Sequence, residues 1–162
     1  VVAYFLLAKG INDYFVEIGG EVICAGKNAK NKLWRIGIMN PASDLFNQSF
    51  IAEVDISDVA VATSANNFNY RIIDDVKYSH TIDPATGYPE NQSILSASIF
   101  AKECLTADAL SKAFMVMGVE KSKEMIEKMD NIEALLVFSD EKGGVSTYVT
   151  DGIVSKVKFN KQ

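Results

Sequence analysis

The sequence predicts an α+β fold in which a mostly antiparallel sheet packs against a pair of helices. Two observations support this class. Short apolar runs follow one another with turn residues between them, which is typical of strands in adjacent hairpins. A later segment instead has apolar residues at helical spacing. The chain has 162 residues, which suits one domain, and we place that domain over residues 1–162.

The first half of the chain is predicted to hold one helix followed by strands. Residues 1–7 are apolar and precede Lys9 and Gly10, which is typical of the last turns of a helix. This run is too short to span a bilayer, which takes about 20 residues. We expect the helix to begin upstream of Val1. The predicted strands are residues 14–18, 21–25, 33–38, 51–56 and 59–64, with Gly19-Gly20 between the first two.

The second half is predicted to hold a helical pair and further strands. Thr106 is a good N-cap for a helix that Gly118 ends. The apolar positions of that helix form one stripe, which consists of Leu110, Ala113, Phe114 and Met117. A second helix is predicted over about residues 120–129. The predicted strands are residues 70–73 and 76–82 around a turn at Asp74-Asp75, 94–101, 134–138, 145–149 and a last strand within 153–159.

Charge and cysteine content exclude two classes of site. The chain has 16 basic and 21 acidic residues and a net charge of -5, which is the wrong sign for a broad phosphate-binding surface. We therefore expect no nucleic-acid partner. The chain has one histidine and two widely spaced cysteines, which excludes a His-rich zinc site. Cys24 and Cys104 are predicted to be small buried hydrophobic residues, and a single disulfide between them is the alternative.

Residues 80–89, His-Thr-Ile-Asp-Pro-Ala-Thr-Gly-Tyr-Pro, form the first candidate site. The proline and glycine residues favour an irregular backbone. His80, Asp83 and Thr86 bring an imidazole, a carboxylate and a hydroxyl into one loop. These groups suit a polar ligand, with His80 as donor or general base. The alternative is a strand that ends in an Asx-type turn, with His80 bonded to a neighbouring backbone carbonyl.

Two shorter segments carry further polar groups. Asp108 is predicted in the first turn of the helix that follows Thr106, where its carboxylate could bind Mg²⁺ together with waters and phosphate oxygens. The alternative is ordinary helix chemistry, with an i,i+4 ion pair between Asp108 and Lys112. Thr63 and Ser64 follow an apolar strand, where their hydroxyls could bind a phosphate or the edge of a flavin ring, or form a turn.

In this order the segments resemble the C-terminal half of the FAD:protein FMN transferase family, also called the ApbE family and formerly the thiamine-biosynthesis lipoprotein family. The most specific match is the His-x-x-Asp-Pro-x-Thr-Gly-x-Pro pattern of residues 80–89. The other matching segments are residues 17–22, 34–38, 40–41, 61–64, 106–109 and 113–118. The resemblance implies that residues 1–162 are the C-terminal portion of a longer FMN transferase-like protein.

The resemblance implies an enzyme that binds FAD and Mg²⁺, cleaves the FAD pyrophosphate and transfers FMN to a threonine or serine hydroxyl of a target protein, with release of AMP. The catalytic residues that it implies are His80, as proton acceptor for the attacking hydroxyl, and Asp108, which is also the metal ligand. The residues that it implies for binding the flavin nucleotide are Thr63, Ser64, His80, Thr81 and Ile82. The family further implies a lipoprotein on the periplasmic side of the inner membrane.

Three positions depart from the family pattern. Lys112 stands where a threonine usually serves the metal, Ala65 where a glycine usually follows the Thr-Ser pair, and Ala85 where a basic residue is common. An ammonium has no lone pair, so Lys112 cannot be a metal ligand. The N-terminal half of the family, with further flavin and metal contacts, has no counterpart here, and we expect the FAD pocket of this chain to be incomplete.

Two other functions are open alternatives. The first is a module that binds a flavin nucleotide or a protein without catalysis, which the departures at Lys112 and Ala65 favour. The second is an FAD pyrophosphatase that uses water instead of a protein hydroxyl and gives AMP and FMN.

Overall fold

The computed structural model describes residues 1–43, 47–65, 70–73, 76–79, 82–88, 94–140 and 144–160. The helices in these ranges are α1 (Val2–Ala8), α2 (Cys104–Met117), α3 (Val119–Ile126) and α4 (Asp151–Val154). The strands are β1 (Tyr14–Ile18), β2 (Glu21–Ala25), β3 (Trp34–Met39), β4 (Phe50–Ile56), β5 (Val59–Ala65), β6 (Tyr70–Ile73), β7 (Val76–Ser79), β8 (Ile94–Ala101), β9 (Glu133–Ser139), β10 (Val145–Val149) and β11 (Val157–Phe159). None of these helices is long and apolar enough to cross a membrane.

The described strands form one large sheet and two small ones. Six strands pair in the order β1-β2-β5-β8-β9-β10, and three pair in the order β11-β4-β3. The remaining pair is the hairpin of β6 and β7. Every pairing among the described strands is antiparallel. The predicted α+β class with a mostly antiparallel sheet is confirmed.

The six-stranded and three-stranded sheets share one hydrophobic core. Strand β4 shows how the sequence produces it, because Val54 and Ile56 are buried while Glu53 and Asp55 are partly exposed. This alternation is typical of a strand with one solvated face. The buried side chains of β4 pack in the same cluster as Phe100 of β8. The core therefore lies between the two sheets.

Helices α2 and α3 cover the opposite face of the six-stranded sheet. Leu110 and Phe114 of α2 are buried in one cluster with Ala97 and Ile99 of β8. Full burial of a side chain as large as Phe114 stabilises the fold by about 1.5–3 kcal/mol. This packing sets α2 across β5 and β8 and brings the end of β5 close to the helix.

Helix α2 begins earlier than predicted, and Thr106 is not its N-cap. Glu103 has extended backbone angles, φ -132° and ψ 141°, and its carbonyl accepts the first helical hydrogen bond from Ala107 N at 3.1 Å. Thr106 therefore lies inside the first turn and Asp108 lies beyond it. Asp108 is therefore not in the first turn as predicted, and the helix dipole, which acts within that turn, does not stabilise its carboxylate.

The predicted strand within residues 153–159 is confirmed only for its last part, which is β11. Ile153 N and Val154 N both donate to the Thr150 carbonyl, at 3.2 and 3.1 Å, and begin α4 instead. The Thr150 hydroxyl accepts a hydrogen bond from Ala134 N at 3.0 Å, which ties this turn to β9. Ile153 is buried in the core between the sheets.

The cysteine prediction is confirmed for Cys24. Cys24 is buried and Cys104 is partly exposed, and both carry free thiols. The alternative of a disulfide between them is not found.

Candidate functional site

The end of β5, the loop of residues 82–88 and α2 enclose a cavity of about 700 Å³. This volume is in the range of pockets that bind small molecules. Strand β5 contributes the hydroxyls of Thr63 and Ser64, the loop contributes Ile82, and α2 contributes the ammonium of Lys112. The remaining lining is apolar. The cavity therefore combines a mostly apolar surface with a few polar groups.

A chain of hydrogen bonds joins Ser64 to α2. Ser64 Oγ lies 2.8 Å from Ser111 Oγ, and Ser111 Oγ donates to the Asp108 carbonyl at 2.9 Å. A hydroxyl has one hydrogen to donate, so both bonds form together when Ser64 donates to Ser111 and Ser111 donates to the carbonyl. Ser64 therefore has only lone pairs to offer a ligand, and it can accept a hydrogen bond from a ligand N–H or O–H group.

Thr63 is paired to the neighbouring strand in the same way. Thr63 Oγ1 lies 2.8 Å from Ser98 Oγ of β8, and Ser98 is buried while Thr63 is exposed. Ser96 lies two residues earlier on β8 and is also buried. Its hydroxyl has no hydrogen-bond partner within the described part of the chain. Ser98 thus orients Thr63 from the neighbouring strand.

Asp108 and Lys112 form an ion pair on α2 between two cavities. The Lys112 ammonium contacts Asp108 Oδ1, at i,i+4 spacing. Lys112 lines the cavity at the end of β5. Asp108 lines a second cavity, of about 760 Å³, next to α1 and β2. The structure therefore contains the i,i+4 pair that was the alternative to a metal site.

The loop of residues 82–88 is held by its own side chains. Asp83 Oδ1 accepts a hydrogen bond from Ala85 N at 2.8 Å, and Asp83 Oδ2 accepts one from the Thr86 hydroxyl at 3.2 Å. Thr86 Oγ1 in turn accepts one from Tyr88 N at 3.3 Å. This is the Asx-turn arrangement. Asp83 and Thr86 shape the loop, as the alternative reading of this segment predicts.

The structure brings part of the predicted site together. The predicted residues that line the cavity at the end of β5 are Thr63, Ser64 and Ile82. Asp108 borders the second cavity and is joined to the first through Lys112. The predicted residues that lie outside the described part of the chain are His80 and Thr81.

Ser98 and Ser111, which contact the two hydroxyls of β5, were not predicted as site residues. Ser111 had a detectable signal, because it lies between Leu110 and Phe114 on the buried face of α2. A buried hydroxyl in such a place requires a hydrogen-bond partner. The identity of that partner depends on how the helix packs on the sheet.

Ala65, which stands where the family usually has a glycine, fits the local backbone conformation. Ala65 ends β5 with a strand backbone and is not in the left-handed region. An alanine adopts this conformation without strain. Replacement of the family glycine by Ala65 therefore causes no backbone strain.

The described residues do not fit Mg²⁺. This ion takes oxygen ligands in octahedral geometry. Asp108 offers one carboxylate, which already contacts the Lys112 ammonium, and the Ser111 hydroxyl points its hydrogen to a backbone carbonyl. Within the ranges that the structure describes, no three His, Cys, Asp or Glu side chains are placed to hold a metal ion. The donor set therefore disagrees with the metal role predicted for Asp108.

One family model and several curated proteins match this chain. The family model described as "ApbE family" matches residues 1–136. The FAD:protein FMN transferase of Vibrio cholerae serotype O1 is 40% identical over 144 residues, which is 88% of this chain and 42% of that protein. The protein of the same name from Escherichia coli K12 is 35% identical over 138 residues, which is 85% of this chain and 38% of that protein.

Solved structures of proteins named ApbE also match this chain. The flavin transferase ApbE from Vibrio cholerae superposes with a TM-score of 0.77 at 35% identity, over 93% of this chain and 46% of that one. The apo form of the flavinyl transferase ApbE from Pseudomonas stutzeri gives a TM-score of 0.75 at 34% identity, over 93% of this chain and 45% of that one.

The matches leave more than half of each relative without a counterpart in this chain. The chain spans 42% and 38% of the length of the two curated relatives above. The family model nevertheless matches most of the chain, and the identities are high over almost all of its length. The chain therefore belongs to the ApbE family.

Proposed function

We propose that the protein carrying this chain transfers FMN from FAD to a threonine or serine hydroxyl of a target protein and releases AMP. The observation that carries the proposal is the cavity at the end of β5, in a chain of the ApbE family. Its apolar surface suits an aromatic ring system, and its hydroxyls and ammonium suit the polar parts of a nucleotide. The relatives named FAD:protein FMN transferase support the same reaction.

The proposed reaction is one phosphoryl transfer. The hydroxyl oxygen of the acceptor forms a bond to the phosphorus of the FMN moiety, and the bond from that phosphorus to the bridging oxygen breaks. AMP leaves with the bonding electron pair, and the hydroxyl proton goes to a base. We assign the base to His80 from the family resemblance. Such reactions depend mainly on positioning and on electrostatic stabilisation.

Ser64 is assigned a positioning role toward the flavin nucleotide. Its hydrogen is used on Ser111, so its oxygen accepts a hydrogen bond and does not donate to a phosphate. A flavin ring N–H or a ribityl hydroxyl is a suitable donor. Thr63 and Ile82 line the same cavity and belong to the same proposed nucleotide surface.

Incubation of the full-length protein with FAD and an acceptor that carries a threonine tests the proposal. The expected result is flavin fluorescence on the denatured acceptor together with AMP in equal amount. Ser64→Ala should raise the KM for FAD, and Ser155→Ala, at an exposed residue remote from the cavity, is the matched control. A denatured acceptor without flavin would contradict the proposal. AMP release without an acceptor would indicate the FAD pyrophosphatase, and FAD binding without turnover the non-catalytic module.

Two features of the proposal rest on the family resemblance. The resemblance implies Mg²⁺ at Asp108, which the donor set of the described residues does not fit, and the assay is therefore run with Mg²⁺ and with EDTA. It also implies a lipoprotein on the periplasmic side of the inner membrane. Fractionation of cells that express the full-length protein, followed by detection in the membrane and periplasmic fractions, tests that location.

A further inference from the structure

The position of Lys112 changes how this site can neutralise phosphate charge. We propose that the Lys112 ammonium takes the place of a divalent cation beside Asp108, so that the site binds the phosphates of its nucleotide without a metal. The inference rests on the proposed function, because it concerns the nucleotide of that same site.

The Asp108 carboxylate already has a cationic partner. Asp108 Oδ1 is in direct contact with the Lys112 ammonium. An ammonium has no lone pair and repels a second cation at contact distance. A metal at Asp108 would therefore have to displace the lysine and its charge. The spacing of four residues on one helix keeps the two side chains adjacent.

The hydroxyls of Ser111 and Ser64 on the same side of α2 are engaged as well. The Ser111 hydroxyl donates to the Asp108 carbonyl and accepts from Ser64. Both hydroxyls are thereby engaged in the contact between α2 and β5. Mg²⁺ keeps several waters but still needs protein or phosphate oxygens around it. This helix provides one carboxylate for that purpose, and the carboxylate is already paired.

The Lys112 ammonium has hydrogens left for a ligand. A lysine ammonium has three hydrogens to donate, and the contact with Asp108 uses one of them. Lys112 lines the cavity that also contains Thr63 and Ser64, and its side chain is 63% exposed. The two remaining hydrogens are available to phosphate oxygens in that cavity. Lysine commonly binds phosphate as a point charge in this way.

The first test measures metal binding directly. Mn²⁺, which accepts the same oxygen ligands as Mg²⁺, is titrated into the nucleotide-free full-length protein, and the free ion is followed by electron paramagnetic resonance. We expect the wild type and Asp108→Asn to bind equal amounts. We expect Lys112→Thr to bind more Mn²⁺ than Lys112→Met, because only threonine restores an oxygen ligand. One equivalent bound by the wild type and lost in Asp108→Asn would overturn the proposal.

The second test measures nucleotide affinity. The Kd for FAD is measured by calorimetry in EDTA and in excess Mg²⁺, and we expect the wild type to give the same value in both. Lys112→Met should weaken binding on the order of tenfold, which corresponds to one charge-assisted hydrogen bond. Lys112→Arg should retain most of the affinity. A wild-type Kd that rises in EDTA, or an unchanged Kd in Lys112→Met, would contradict the role of the ammonium.

The two proposals fail in different ways. FAD binding that is insensitive to EDTA, without flavin transfer to an acceptor, would refute the proposed function and support the role of Lys112. Flavin transfer that depends on Mg²⁺, with Mn²⁺ bound at Asp108, would support the proposed function and refute the role of Lys112. Thermal unfolding of each Lys112 variant serves as the folding control, since this side chain is exposed and is not part of the core.

Discussion

Ser64 Oγ and Ser111 Oγ lie 2.8 Å apart, although the two residues are 47 positions apart in the chain. The bond joins the end of β5 to the buried face of α2, and it fixes the direction in which the Ser64 hydroxyl donates. Ser64 also lines the cavity that contains Lys112. This pair of hydroxyls therefore contributes both to the stability of the fold and to the orientation of the Ser64 hydroxyl in the cavity.

The effects of substituting Ser64 and Ser111 on the free energy of unfolding should be coupled. Ser111→Ala should lower the free energy of unfolding by about 1–2 kcal/mol, because the partly buried contact with Ser64 and the bond to the Asp108 carbonyl are both lost. Ser64→Ala should cost less. A double-mutant cycle from urea unfolding should give a coupling energy of about 1 kcal/mol. Strictly additive single effects would contradict the bond.

Cys24 should make stability depend on pH above neutrality. Burial raises the pKa of the Cys24 thiol from its ordinary value of 9.0 to about 11. Between these values the unfolded thiol loses its proton while the folded one keeps it, so the unfolded state binds fewer protons and stability falls as pH rises. The contribution is fully present below about pH 9. Urea unfolding from pH 7 to pH 11 measures the loss.

Cys24→Ala is the control for this prediction. It should flatten the dependence between pH 9 and pH 11, and the slope that remains should come from Cys104 and Tyr14, whose pKa values are also raised by burial. Iodoacetamide labelling of the folded wild type at pH 8 gives an independent measurement. Cys104, which is partly exposed, should be modified before Cys24. Equal labelling of both thiols would contradict the burial argument.

Local sequence patterns predicted most of the sheet. Strands β1 and β2 have the predicted bounds, because short apolar runs on either side of Gly19-Gly20 leave few other conformations. The ion pair between Asp108 and Lys112 was also predictable as an alternative, because residues four positions apart on a helix are neighbours.

Features that depend on tertiary packing could not be predicted in this way. Thr106 has the chemistry of an N-cap, but α2 begins earlier, because Glu103 has an extended backbone and its carbonyl accepts the first helical bond. The partner of Ser111 depends on how α2 crosses β5. The lining of the cavity likewise combines residues from three segments that are distant in sequence.

The turn after β2 should not tolerate a side chain at Gly26. Gly26 has a φ of +61°, and a Cβ atom there would overlap the Asp13 carboxylate, which accepts a hydrogen bond from Lys27 N. Gly26→Ala should therefore cost about 2–3 kcal/mol, from backbone strain and from the overlap. Gly10→Ala is the matched control, because Gly10 has a φ of +78° but open space around it.

Thermal and urea unfolding of the two variants separate these contributions. Gly10→Ala should cost about 1 kcal/mol, which is the backbone term alone. The additional loss in Gly26→Ala should decrease when Asp13→Ala is added, because that substitution removes the overlapping group. Equal losses in the two single variants would mean that the Asp13 carboxylate does not restrict the turn.

Asp55 should make stability fall in acid. Hydrogen bonds from Arg35 and Lys158 lower the pKa of the Asp55 carboxyl from 3.8 to about 2. Arg35 binds both carboxylate oxygens, at 2.7 and 3.1 Å, and connects β3 to β4, while Lys158 reaches the carboxylate from β11. The stabilisation is therefore fully present above about pH 4 and is lost as pH falls toward 2, where the folded carboxyl is protonated.

The size of this acid effect is limited by exposure to water. Arg35 is 50% exposed, so we expect Asp55→Asn to cost about 1 kcal/mol at pH 7. The variant should lose less stability than the wild type between pH 5 and pH 2 in urea unfolding. Glu53→Gln removes the neighbouring carboxylate but leaves both bonds from Arg35 to Asp55, and it should keep the acid dependence of the wild type. If Glu53→Gln flattens the profile and Asp55→Asn does not, the acid sensitivity belongs to Glu53.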